Sequence, residues 1–333
     1  MNKNKINSVV ENLFTKFETR FRRKEKNAFL EYCIAEFKEL GYNDEEITVQ
    51  KSKLGKNLIV GRPDADTLVT AHYDTPANNG FLLCASPIVG QVLANVFTVL
   101  IFGIIALAVN IVSVIISVTL GLEDFPFTQS YVLIALFICS FLIKNKHNHN
   151  DNTSGVIGVF NIAAIAAENP ELRNKCAFVL FDNEEWGLLG SQAFSKWRNK
   201  NFPDKKNVNV INLDCIGNSD ILLVAAKNRH EGLDNIADFL QKEDFDVVKK
   251  RSMMIYLSDH AHFERGVMLS FVKESKLKFI YMPKVHTNKD TFCDLPNIER
   301  LSASLCKYIC KINGITENQN ENENQEETVT ETE

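Results

Sequence analysis

Two adjacent glutamates, Glu184 and Glu185, stand just beyond the apolar run Cys176–Phe181, with a helix expected to begin near Trp186. An apolar run that ends abruptly in polar residues has the form of a strand delivering side chains into a crevice. In an open α/β sheet that is the usual place for a site. Neighbouring carboxylates repel each other unless a cation or a proton separates their roles. A lone pair of glutamates ahead of a helix ordinarily serves the helix dipole, so this pair needs partners elsewhere. Candidates are present. Short buried strands are expected at 57–60 and 67–71, and the second runs directly into His72, Tyr73 and Asp74. Side chains alternate along a strand, so His72 and Asp74 share a face. A carboxylate there can hold one imidazole nitrogen while the other nitrogen binds a metal. Asp151 precedes a helical run at 156–167. Asp214 ends a strand expected at 208–213, and His286 follows a last strand at 279–282.

Two histidines with several carboxylates are donors that suit zinc without any cysteine. Five ligands and one spare acid is the count for a two-metal site in which one carboxylate bridges. The spare glutamate is then free to take a proton from water.

The strings HYD (72–74), DNTSG (151–155), EEWGLLGS (184–191), NLDCIG (212–217), SDHAHF (258–263) and VHTNKDT (285–291) occur in this order. Together they resemble the zinc exopeptidase family that includes bacterial leucyl-type aminopeptidases, glutamate carboxypeptidase and glutaminyl cyclase. The resemblance implies an α/β fold with a mixed, mostly parallel central sheet flanked by helices. It implies two zinc ions, His72 and Asp214 binding one, Glu185 and His286 the other, with Asp151 bridging. It makes Glu184 the general acid/base, lets Asp74 orient His72, and leads to a cis bond after Asp151. The activity implied is exopeptidase, an aminopeptidase by analogy, acting on peptides. The alternatives are a glutaminyl-cyclase-like acyl transfer with a single zinc, and a non-catalytic membrane-bound binding protein of the same fold. One departure concerns the position before the final histidine. Some members carry a tyrosine there that helps hold the oxyanion; here it is Val285, and Tyr256 or His260 would have to take over. His260 and His262 form a pair that suggests an extra ligand, although the family pattern uses this loop to shape the pocket. His147 and His149 read as part of a solvated linker.

These residues need elements to position them. The 333 residues suffice for a sizeable core. A net charge of -5, part of it in an acidic tail, argues against nucleic acid as a partner. Eight scattered cysteines without a paired spacing fit a reducing compartment, and the polar, charged opening carries no signal peptide. Residues 14–40 have the spacing of one amphipathic helix, with the basic patch 20–26 on a solvated face. From Thr75 to Leu122 no residue is charged, and after Glu123 and Asp124 the run 125–143 is again uncharged. About 20 apolar residues span a bilayer, so the expectation is an inserted transmembrane helical hairpin contacting lipid through residues 88–143. Lys144 and Lys146 beside the catalytic half, against an acidic connection, favour a cytoplasmic catalytic domain. The ends of the insert must return to one side, because His72 and Asp151 flank it and must meet. The resulting organisation is 1–81 and 147–314 for the catalytic domain, 82–146 for the insert, and 315–333 for a disordered acidic tail.

Overall fold

The computed structural model describes residues 3–79, 85–121, 139, 141–251 and 258–315. In chain order, α1 (Lys3–Thr15) and α2 (Arg23–Glu39) precede β1 (Ile47–Ser52), β2 (Gly55–Gly61) and β3 (Thr67–His72). The insert contributes α3 (Gly90–Leu120). Beyond it come α4 (Gly155–Glu168), α5 (Pro170–Lys175), β4 (Cys176–Phe181), α6 (Leu189–Asn201) and β5 (Asn209–Leu213). The chain continues through β6 (Ile221–Ala226), α7 (Glu231–Lys242), β7 (Asp246–Arg251), β8 (Arg265–Glu274), β9 (Ile280–Tyr281) and α8 (Leu295–Ile312).

The strands form one mixed sheet in the order β1-β2-β4-β3-β5-β8-β6-β7, with β9 on β8. At its centre β4, β3, β5 and β8 run parallel. Every residue of β3 and β4 is buried, as expected of strands covered on both faces. Alternation divides them between two cores. Val69, Ala71, Phe178 and Leu180 pack with α2, α4 and α8, while Leu68, Val179 and Phe181 pack with Phe194 of α6 and with Phe263. Phe37 stacks on Phe160 at 4.3 Å, joining α2 to α4. Because β3, β4 and β5 are parallel neighbours, their C-terminal ends open at one edge of the sheet.

The strands expected at 57–60, 67–71, 208–213 and in Cys176–Phe181 are present within a residue or two of their expected ends. The amphipathic helix expected over 14–40 is instead two helices. Glu25 interrupts it: its carboxylate accepts from the amides of Phe21 (3.0 Å) and Arg22 (2.9 Å), capping a new helix start. The basic patch is correspondingly not a solvated face throughout. Arg20 is fully buried and donates to the Tyr73 and Phe17 carbonyls and to Thr153 Oγ1. Lys26 is buried against Asp182, with Nζ 2.7 Å from Oδ1.

The expected hairpin is corrected to one long apolar helix, α3, among the described residues. Its side chains are largely bare, with Val99 69% and Val118 78% exposed. Most of the second run, 125–143, lies outside the described residues, as does the tail from 316 onward. The two ends of the insert meet. Ala77 and Lys144 form an antiparallel bridge, the Asn78 amide donates to the Ile143 carbonyl (2.7 Å), and the Asn145 amide donates to the Pro76 carbonyl (3.1 Å).

Removing one partner of a buried ion pair strands the other charge, at a cost of roughly 3–5 kcal/mol. Lys26→Met is expected to lower the unfolding free energy by about 3 kcal/mol, since the Lys56 amide still serves Asp182 (3.0 Å). Urea denaturation followed by far-UV circular dichroism measures this, and Lys26→Met combined with Asp182→Leu should recover part of the loss.

Candidate metal centre

Each side chain that could hold a cation arrives on a different element. His72 ends β3, Glu184 and Glu185 follow β4, and Asp214 follows β5. Asp151 lies in the kinked, non-helical segment 149–154 that leads into α4, and His286 lies in the loop after β9. The Asp151–Asn152 peptide is cis. Two triads result, His72 with Asp151 and Asp214, and Asp151 with Glu185 and His286. Within each, the three ligand atoms lie within 4.8 Å of one another. Asp151 belongs to both. Its Oδ1 is 3.4 Å from His72 Nε2, and its Oδ2 is 3.2 Å from His286 Nε2. His72 Nε2 lies 3.7 Å from Asp214 Oδ1, and His286 Nε2 lies 3.5 Å from Glu185 Oε2.

These spacings test whether the residues fit a metal. An N–H···O hydrogen bond closes to 2.7–3.2 Å, and three of the four distances exceed that range. Neighbouring ligand atoms on a tetrahedral zinc stand about 3.3 Å apart. Apart from the His286–Asp151 contact, the side chains therefore converge to ligand spacing at distances too long for hydrogen bonds. Glu185 Oε1 is moreover buried with no hydrogen-bond partner among the described residues, an unpaired acceptor that a cation would satisfy. The donor set fits zinc.

The electrostatics agree. Burial pushes Glu185 well above the usual carboxylate range, with the nearby Asp151 charge adding to it, and burial with Glu185 and Asp214 does the same to Glu184. Burial opposes charge on the imidazoles, but the surrounding carboxylates win. Glu184, Asp151, Asp214 and Asp74 hold His72 well above its ordinary value, and Asp151 and Glu184 raise His286. Asp151 is driven the other way: burial would raise it, but the His286 and His72 imidazoles beside its two oxygens hold it low.

A surrounding layer fixes the geometry. His72 Nδ1 faces the Asp74 carbonyl at 3.1 Å and the Asp74 carboxylate at 3.6 Å. That carboxylate accepts from the Glu184 amide (3.0 Å) and the Glu185 amide (3.3 Å), so Asp74 aligns the glutamates as well as the imidazole. Asp290 accepts from the Asn150 and Asp151 amides, both at 2.9 Å, and burial pushes its carboxyl up to about 7. Asn79 Oδ1 meets His286 Nδ1 at 3.1 Å. Asn152 ties its own loop to β5, donating to the Leu213 carbonyl (2.9 Å) and accepting from the Cys215 amide (3.2 Å). Gly155 lets that approach happen, since a Cβ there would lie 2.3 Å from the Leu213 carbonyl oxygen.

Asp290 and Asn79 carried no signal of their own in the sequence. Asp290 stands inside the VHTNKDT string but four residues past the histidine, and Asn79 lies in an uncharged stretch. Val285 is buried and offers no donor, and Tyr256 lies outside the described residues. His260 is buried with neither ring nitrogen bonded among the described residues, and burial pulls it down to about 4. His262 Nδ1 pairs with Ser191 Oγ at 3.1 Å. Among the described residues neither histidine joins a group of ligand spacing.

Residues 144–308 match Peptidase family M28. No curated protein matches the chain. Among solved structures, the chain is similar to the LapA aminopeptidase of Legionella pneumophila, at 14% identity and a TM-score of 0.59, over 93% of this chain and 70% of that one. It is also similar to the glutaminyl cyclase of Porphyromonas gingivalis, at 16% identity and 0.58, over 93% of this chain and 98% of that one. An Acidobacteriales bacterium glutaminyl cyclase aligns at 15% identity and 0.51, over 95% and 96%. At such identities the likeness is one of fold. The six strings in order along the chain agree with the match over residues 144–308, and that part of the chain belongs to Peptidase family M28.

Proposed function

We propose that the chain is a dinuclear zinc exopeptidase, acting as an aminopeptidase on peptides. The observation that carries this reading is the position of Asp151, whose two oxygens face two different imidazoles at 3.4 and 3.2 Å. A carboxylate shared between two triads is the arrangement a pair of ions needs. His72 and Asp214 would hold one zinc, Glu185 and His286 the other, with Asp151 across both. Bound there, the two ions would acidify a water and polarise the scissile carbonyl.

The chain's own part is to move protons. Glu184 has a carboxylate oxygen within 4.8 Å of ligand atoms on His72 and Glu185, but it belongs to neither triad around Asp151. It is the acid left free. Its raised proton affinity suits a base that takes the proton of the attacking water and returns it to the departing amine. Asp74, by holding the backbone of both glutamates, keeps the shuttle and the ligand side by side.

A second reading is a single-zinc glutaminyl-cyclase-like acyl transfer. It is favoured by length, since the chain spans nearly all of the Porphyromonas gingivalis cyclase but 70% of LapA. Metal content and a comparison of aminoacyl-arylamide with N-terminal glutaminyl substrates separate the two.

We also infer that the insert anchors the enzyme in a bilayer, with the catalytic domain cytoplasmic. Support comes from α3, whose 31 residues reach about 46 Å and whose apolar side chains are exposed.

Glu184→Gln is expected to retain zinc while kcat falls by about 10²- to 10⁴-fold; undiminished turnover would remove Glu184 from its role. Zinc must displace protons from Glu185, His72 and His286, all of which hold them more tightly than usual. Affinity should therefore rise with pH, and the climb should continue above 6.5, the ordinary imidazole value. Calorimetry in buffers of different ionisation enthalpy reads the released protons. Flotation with liposomes should carry the full chain upward, and deletion of 85–142 should leave it in the soluble fraction.

A further inference from the structure

A second group of metal-ligating side chains lies outside the crevice. Glu18, between α1 and α2, meets His147 and His149 on the strap that leads from the insert to Asp151, and the three ligand atoms lie within 4.8 Å of one another. His149 Nε2 is 3.2 Å from Glu18 Oε1, and His147 Nδ1 touches the same oxygen. The imidazole planes cross at 84°, with centroids 6.4 Å apart. One ring presents Nδ1 and the other Nε2, so both nitrogens converge on the Glu18 carboxylate while the rings keep apart.

The trio is held in place from both sides. His149 stacks on Phe14 at 4.4 Å, which fixes the plane of its ring. Asn148 Nδ2 donates to the Glu18 carbonyl at 2.9 Å, fastening the strap to the connection that carries the carboxylate. Lys144, a nearby cation, is engaged by Glu25 at 2.9 Å, so its charge is already matched. The side chains of Glu18, His147 and His149 are 24, 39 and 19% exposed, which leaves solvent access to further coordination positions.

Two imidazoles and a carboxylate form the donor set of three-ligand zinc sites whose remaining position is filled by water. We propose that Glu18, His147 and His149 form a divalent-cation site for zinc or a similar borderline metal, distinct from the crevice. Such an ion pins the N-terminal connection to the strap. The strap continues into Asp151 through the His149 amide, which donates to the Asp290 carbonyl at 3.1 Å.

The test is a metal count on the full chain, stripped with chelator, reloaded with zinc alone and dialysed before elemental analysis. His147→Gln and Glu18→Gln are each expected to hold one zinc fewer than the unaltered chain. Asp214→Asn, which acts in the crevice, should leave that difference of one intact when combined with either. The zinc-dependent rise in Tm should shrink in both variants, while the Tm without metal stays unchanged. Equal zinc counts in the unaltered chain and both variants would overturn the proposal and leave the trio as a hydrogen-bonded cluster. A wrong count for the crevice would change the total but not the difference.

Discussion

Four carboxylates and two imidazoles share one crevice, and the repulsion among those carboxylates in a partly dry space is the constraint the surrounding structure answers. Charges a few ångströms apart interact far more strongly at a buried site than in water. Glu184 and Glu185 respond by holding protons, and His72 and His286 respond by holding theirs. Asp151, flanked by both imidazoles, stays anionic. Such an arrangement costs stability unless something fixes it, and much of the surrounding hydrogen bonding does that. Asp290 grips the successive amides of Asn150 and Asp151, Asp74 grips those of both glutamates, and Asn79 meets His286. Buried Arg20 ties the carbonyl of Tyr73 to Thr153, so the strand end carrying His72 and the turn carrying Asp151 move together.

Topology explains how so long a hydrophobic segment can sit between two such closely placed groups. The insert leaves after β3 and returns before α4, at a point where the chain would otherwise need only a short connection. Its two ends are hydrogen-bonded to each other, so the catalytic domain meets a closed junction whatever length lies beyond it. Lengthening a loop costs slowly growing closure entropy. The first residues of the insert are also fastened to the domain: the amides of Lys276 and Leu277 donate to the carbonyls of Pro87 and Ile88 at 2.8 and 3.0 Å. The base of α3 is thereby fixed to the segment that leads to β9 and on to His286.

The readable parts of this chain were those where a short apolar run met a polar residue of definite chemistry. β4, β3 and β5 could be found because each ends in an acid or a histidine, and the same residues identify the crevice. β8 was missed because its apolar run is continuous and ends in nothing chemically distinctive; such runs do not show their period. The break between α1 and α2 was hidden because Glu25 looks like one more surface charge until its carboxylate is seen on two backbone amides. Arg20 and Lys26 were assigned to a solvated face for the same reason. Long cationic side chains are usually exposed, and only the partners, a set of carbonyls and Asp182, show that these two point inward. His147 and His149 read as linker because Glu18, which they meet, lies 129 and 131 residues away.

The choice between the two glutamates shows what geometry adds to composition. Both carboxyls are pushed up chiefly by burial, so proton affinity does not distinguish a ligand from a base. Position does. Glu185 reaches His286 and shares a triad with Asp151, and its other oxygen is buried without a partner among the described residues, so its proton occupies a place that a cation would take. Glu184 groups with His72 and Glu185 but not with Asp151. A group whose charge is not needed to hold an ion remains free to exchange its proton, and environments that drive neighbouring acids apart are how acid and base roles are divided within one site. Asp151 held low and Glu184 held high are the two ends of that division. On the proposed reading, the first stays charged to bind a metal and the second stays protonatable to shuttle.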